Sequence, residues 1–196
     1  MRLFVAVELE HDLRSALTAV QNALRRDASG VRWVRPEHLH LTLKFLGEVP
    51  DGDVARVSDA IRAAAARCDT FDITVSGSGV FPPAGRVRVI WVGLAAASGA
   101  LGRCFAAVDA ALQPAGIPRE RRPFAPHVTL GRVRDDRSSG RLRSLVEAAR
   151  VRPAGQAVRS LTLMPTSLAP GGPTYTAVTR AVLGPPGHKD TNEETP

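Results

Sequence analysis

The chain has 196 residues, 44% of them apolar, which fits one compact domain or two tightly joined lobes and excludes a disordered polypeptide. Its net charge is +7 from 26 basic and 19 acidic residues, nearly all arginine on the basic side, since Lys44 and Lys189 are the only lysines; this favours a polyanionic partner without specifying one. No apolar run reaches the ~18 residues a membrane span needs, and residues 1–8 turn acidic too soon for a signal peptide, so a cytoplasmic monomer is expected.

Residues 3–7, Leu-Phe-Val-Ala-Val, read as a buried first strand. Leu13, Leu17, Val20 and Leu24 recur at helical spacing until Ser29-Gly30. Residues 31–47 favour strand, with Pro36 breaking the run. Asp51 and Asp53 are placed to cap a helix with the stripe Val54, Val57, Ile61 and Ala64. Strands are predicted near 70–80 and 86–94. Ser98 is placed to cap a third helix carrying Leu101, Phe105, Val108 and Leu112. A strand at 127–133, a helix near 139–150 and strands near 157–164 and 174–183 complete the pattern. Residues 185–196 have nothing to bury and read as a loose tail. Short turns between strands argue an α+β fold with antiparallel sheets.

One stretch is repeated. Residues 35–43 are Arg-Pro-Glu-His-Leu-His-Leu-Thr-Leu, and residues 122–130 are Arg-Pro-Phe-Ala-Pro-His-Val-Thr-Leu. They share Arg, Pro, His, Thr and Leu without a gap. A single His-x-Thr is as well explained by a structural strand histidine. The repeated frame points to two related half-units. Alternation along a strand puts His40 and Thr42 on one face and Leu39, Leu41 and Leu43 on the other. His127 and Thr129 stand in the same relation to Val128 and Leu130. If the halves pack about a pseudo-twofold axis, two imidazoles and two hydroxyls converge. That set fits phosphodiester chemistry: in-line displacement needs a base on one side and an acid on the other, and imidazole serves either role near neutral pH. Hydroxyls donate to the non-bridging oxygens.

At these residues the chain resembles the bacterial and archaeal RNA 2′,3′-cyclic phosphodiesterases, also called 2′-5′ RNA ligase-like proteins, of the two-histidine phosphoesterase superfamily. The matching stretches are Arg2-Leu3-Phe4 with Ala6, residues 38–47, Arg122-Pro123-Phe124 and Pro126-His127-Val128-Thr129-Leu130. The resemblance implies a single bilobal domain over 1–184, with two pseudo-symmetric lobes of antiparallel sheet plus helices around a cleft. It implies hydrolysis of an RNA terminal 2′,3′-cyclic phosphate to a 2′-phosphate, with neither metal nor cofactor. It makes His40 the proton donor and His127 the proton acceptor, with Thr42 and Thr129 on the phosphate. Arg132 matches an arginine that helps hold the nucleotide. An unbroken strand would aim Arg132 at the opposite face, so it reaches the cleft only if the strand bends near Gly131. Val5 departs from relatives whose aromatic residue there stacks on the base.

Lys44 shares the parity of His40 and is expected as a further substrate-binding cation on the cleft rim, or as a solvated strand end. His38 reads as structural; with His40 it lacks the carboxylate or cysteine that would complete a metal site. Trp33 and Trp91 are expected in the core or between lobes, and Tyr175 in the core with its hydroxyl bonded. Arg86 and Arg88 form a basic wall or a solvated face. His11 is expected at a helix start and His188 in the tail, neither of them acting. Cys68 and Cys104 have no metal-like spacing and read as buried, reduced thiols. The reverse reaction, 2′-5′ ligation, would use the same residues. A non-catalytic RNA-end or nucleotide binder has no need of two titrating groups.

Overall fold

A computed structural model describes residues 1–136, 140–166 and 177–184. Tyr175 and the tail 185–196 lie outside the described residues. The elements are β1 (Arg2–Glu8), α1 (His11–Arg25), β2 (Val31–Trp33), β3 (His40–Glu48), α2 (Val54–Ala66), β4 (Phe71–Phe81), β5 (Val89–Ala96), α3 (Ala100–Leu112), β6 (His127–Val133), α4 (Leu142–Glu147), β7 (Gly155–Val158), β8 (Ser160–Pro165) and β9 (Thr179–Val182).

One antiparallel sheet runs β7-β4-β5-β6-β3-β1-β8-β9, with β2 paired to β6 beside that path. The order is symmetric about the β3–β6 junction and gives two lobes, as expected. The lobes are not consecutive halves of the chain. One holds β1, β3, β8 and β9, and the other holds β4, β5, β6 and β7. Apart from β2, which borders β6, the chain crosses from the first lobe to the second after α2 and returns at Arg159. That return divides the single strand expected near 157–164: β7 pairs with β4, and β8 pairs with β1.

The apolar faces of both lobes share one core. Val5, Leu41, Ile90, Val128 and Leu161 come from the sheet, and Leu17, Ile61 and Leu112 from the helices. The stripes of α1, α2 and α3 are buried as their spacing required, save Val54 and Phe105, which are half-buried. Two capping expectations fail. Ser98 sits in a 3-10 turn at φ 54, and Gly99, at φ 68, takes the N-cap position of α3. Asp51 and Asp53 form a 3-10 turn with no side-chain cap bond, and Asp53 pairs with Arg56 at 2.9 Å.

Pro36 breaks the 31–47 run as expected, and the break has a polar cost. β2 and β3 both border β6, so carbonyls are exposed where one gives way to the other. Gln21 of α1, fully buried, closes this gap by donating through Nε2 to Val34 O and Leu130 O, both at 2.8 Å. The sequence reading, which followed the apolar stripe of this helix, did not single out Gln21. Gln21→Leu takes a donor from Val34 O and one of two from Leu130 O, which also accepts from Val34 N–H at 2.9 Å, and is expected to destabilise the fold by about 1–3 kcal/mol, read as a lower urea midpoint; an unchanged midpoint would show that the gap closes without it.

Candidate active site

β3 and β6 meet at one registered pair, Leu41 opposite Val128. Both side chains are fully buried on the core face. Antiparallel pairing about that point sets His40 across from Thr129 and Thr42 across from His127. With the two apolar residues facing inward, alternation turns all four polar side chains to the other face. The sheet thus brings the two copies of the repeat side by side in a pseudo-twofold arrangement.

The imidazoles are held alike. His40 Nδ1 lies 2.8 Å from His38 O, and His127 Nδ1 lies 2.6 Å from Ala125 O. In each case Nδ1–H donates to a carbonyl two residues back, which fixes the ring's orientation and turns Nε2 away from that carbonyl. Each ring also meets an aromatic neighbour: Phe4 is 4.9 Å from His40, and Phe81 stands edge-on 5.0 Å from His127. Burial holds the His40 pKa below its ordinary 6.5, partly offset by the His38 carbonyl and reinforced by the charge of His38.

Two β-bulges decide what else reaches this face. On β3, Ala6 stands opposite Thr42 and Val5 opposite Lys44, so Leu43 is the extra residue. On β6, Trp91 stands opposite Thr129 and Ile90 opposite Gly131, so Leu130 is extra. The bulges fall at equivalent positions of the repeat, and each resets the alternation. Gly131 turns inward, where a Cβ would lie 2.7 Å from Val31 Cγ1. Arg132 then leaves the strand exposed, on the face of His127 and Thr129. This is the bend that its position required.

The same reset moves Lys44 away from the cleft, which corrects the rim position expected for it. Lys44 is 4% exposed, forms an ion pair with Asp109 of α3 and donates to Pro118 O at 2.7 Å. Burial pushes the Asp109 carboxyl up. The hydrogen bonds from Lys44 and the Glu120 amide, and the charges of Lys44 and Arg119, outweigh this and hold it below 3.8. Together with Phe105 stacked on Phe124 at 4.3 Å, this pair pins the arginine-rich loop that leads into His127. Phe45 takes the place on the histidine face that parity had given to Lys44, and it is 65% exposed.

Val5, expected beside the base, is fully buried in the core, and Phe4 stands on the histidine face instead. Trp91 also belongs to this face, 5.2 Å from Phe81 and 6.3 Å from His127. It lies over Gly79, where a Cβ would come within 2.5 Å of the indole. Sequence reading missed Phe4, Phe45 and Phe81. Parity from His40 turned Phe45 to the core until the bulge is counted, and Phe4 and Phe81 lie on strands without a histidine, where only pairing reveals the face. Trp33 packs on the core beneath Arg25, and Arg86 and Arg88 are exposed. His11 opens α1 at the surface.

A pocket of about 390 Å³ opens beside His40, lined by Glu8, His38, Gln156, Met164 and Arg180 among others. Glu8 is ion-paired with Arg180 and accepts from Thr162 Oγ1 at 3.0 Å. Among the described residues no three His, Cys, Asp or Glu side chains converge to hold a metal. No helix there is long and apolar enough to cross a membrane.

The chain matches the LigT-like phosphoesterase family over residues 7–91 and again over 92–175. It is 33% identical over 177 residues to an RNA 2′,3′-cyclic phosphodiesterase of Methanothermobacter thermautotrophicus, covering 90% of this chain and 95% of that one. It is 35% identical to the protein of the same name from Archaeoglobus fulgidus, covering 89% and 96%. Among solved structures, TT0787 of Thermus thermophilus superposes with a TM-score of 0.77 at 31% identity, covering 94% of this chain and 99% of that one. E. coli LigT complexed with 3′-AMP superposes at 0.70 and 27%, covering 93% and 97%.

Two measurements check this geometry. Lys44→Met strands the Asp109 charge and is expected to cost about 3 kcal/mol of stability, while turnover changes little. The native pair's contribution is present above the ordinary carboxylate range and is lost as pH falls through the depressed Asp109 value. Sulfate keeps its charge across neutral pH, so its affinity reports protonation of the site. Binding is expected to tighten as pH falls below 6.5, where the anion draws a proton onto His40, by up to about tenfold per pH unit. A flat affinity would show that His40 does not face the anion.

Proposed function

The chain belongs to the LigT-like phosphoesterase family, and we propose that it hydrolyses the terminal 2′,3′-cyclic phosphate of RNA to a 2′-phosphate, using His127 and His40 as a base and acid without a metal. The observation that carries this reading is the β3–β6 junction, where two imidazoles with the same Nδ1–carbonyl anchor flank one point of the sheet.

His127 Nε2 takes a proton from water as its oxygen attacks phosphorus. His40 Nε2 gives a proton to the 3′ oxygen as the bond from phosphorus to that oxygen breaks. The phosphate stays on the 2′ oxygen. The Thr42 and Thr129 hydroxyls, each across the junction from the other copy's histidine, donate to the two non-bridging oxygens where charge accumulates. Arg132 adds a guanidinium on the same face. Phe45, Phe81 and Trp91 offer flat apolar surfaces on which a base stacks, while the buried Phe4 backs His40. Burial favours neutral His40 before substrate binds, and the substrate's phosphate anion restores the proton that the donor role needs. The relatives named as RNA 2′,3′-cyclic phosphodiesterases support the substrate class.

An oligoribonucleotide ending in a cyclic phosphate is expected to open to the 2′-phosphate at the same rate with and without a strong chelator. His40→Ala and His127→Ala are each expected to lower kcat by ~10²–10⁴. The double variant should be little worse, because both groups act in one step. Thr42→Ala and Thr129→Ala should cost less, roughly 10–100-fold. Near-normal turnover in either histidine variant, or activity that returns only with a divalent ion, would refute the mechanism.

A further inference from the structure

Away from the cleft, the two cysteines meet. Cys68 follows the last turn of α2, Cys104 lies in α3, and the two helices pack on each other. The two thiols lie close enough to perturb each other's acidity, and Cys68 Sγ donates to Ala64 O at 3.2 Å. Cys104 is 2% exposed, whereas Cys68 is half-buried. Both line an open groove of about 460 Å³ whose charged members are Arg67, Asp69, Asp72 and Arg103. Nothing in the phosphodiester chemistry uses this groove.

We propose that Cys68 and Cys104 are a redox-modification site, in which a peroxide entering the groove converts the pair to an intramolecular disulfide. Cys68 attacks and Cys104 resolves. The Cys68 thiolate attacks one peroxide oxygen; the S–O bond forms, the O–O bond breaks, and the departing hydroxide takes a proton to leave as water. The Cys104 sulfur then attacks the Cys68 sulfenic acid; the S–S bond forms, the S–O bond breaks, and hydroxide leaves with the Cys104 proton as a second water. Two electrons pass from the thiol pair to the peroxide.

The division of roles follows from the surroundings. The hydrogen bond from Cys104 holds the Cys68 pKa down to about 7, against burial and Asp69 and with help from Arg67. The same bond and deeper burial push Cys104 upward. Cys68 is thus the more acidic thiol of the two and the one that stands open at the groove, as an attacking cysteine must. The bond would also have a mechanical effect. It would tie α2, which packs on β8 and β9 of the first lobe, to α3, which pins the loop leading into His127.

The test is intact-mass and thiol analysis of the full-length reduced protein after stoichiometric hydrogen peroxide. The expected result is loss of two hydrogens and of both titratable thiols, restored by dithiothreitol, with the two cysteine peptides joined within one molecule. In Cys104→Ser, and in Cys104→Ala should serine perturb the packing, a dione probe should trap Cys68 as its sulfenic acid. In Cys68→Ser, Cys104 should remain unmodified at the same dose. Thiols that survive peroxide in the folded protein would overturn the proposal. So would cross-links only between molecules, or equal reactivity of Cys104 in the absence of Cys68.

Discussion

The pairing of β3 with β6 through Leu41 and Val128 is the contact on which the site depends. It joins two lobes into one sheet, and it does so at the centre of both copies of the repeat. Because the pair is antiparallel, a histidine of one copy faces the threonine of the other. Because both central residues are buried, every polar member of the repeat is forced to the opposite face. A slip of one residue at this pair would drive the imidazoles into the core and the leucines into the cleft. The surrounding core, shared by both lobes, therefore fixes the site geometry as well as the fold.

Polar groups buried behind the sheet support that contact. Gln21 satisfies the carbonyls exposed where β2 and β3 exchange places along β6. Lys44 and Asp109 tie β3 to α3 and hold the Pro118 carbonyl, so the loop before His127 arrives in a fixed position. Neither group stands on the histidine face. Both act by making one arrangement of the junction cheaper than its neighbours, because a shifted junction would lose these buried hydrogen bonds.

The two bulges show how a small irregularity selects chemistry. Each adds one residue after the His-x-Thr triplet and reverses the alternation for the residues just beyond it. In the second copy the reversal sends Gly131 inward and Arg132 out. In the first it sends Lys44 inward and Phe45 out. The pseudo-symmetric frame thereby becomes chemically unequal, with a cation on one lobe and a ring on the other. Two equivalent histidines beside unequal neighbours suit a reaction whose attacking and leaving groups differ.

The amino-acid sequence by itself determined the elements that repeat and alternate. His40, Thr42, His127 and Thr129 were legible because period two is a local property, and two copies of one nine-residue frame exceed chance. The helical stripes of α1, α2 and α3 were legible for the same reason. The fold decided what depends on partners distant in the chain. Parity placed Lys44 at the cleft and Val5 beside the base; bulges and strand pairing put Lys44 in an ion pair, Val5 in the core, and Phe4 and Phe45 on the histidine face. The assignment of β4 and β5 to the second lobe, and the meeting of Cys68 with Cys104, follow from strand exchange and helix packing. A bulge is defined only by the strand opposite it, and a contact only by both of its residues, so neither is written in the local pattern from which elements are read.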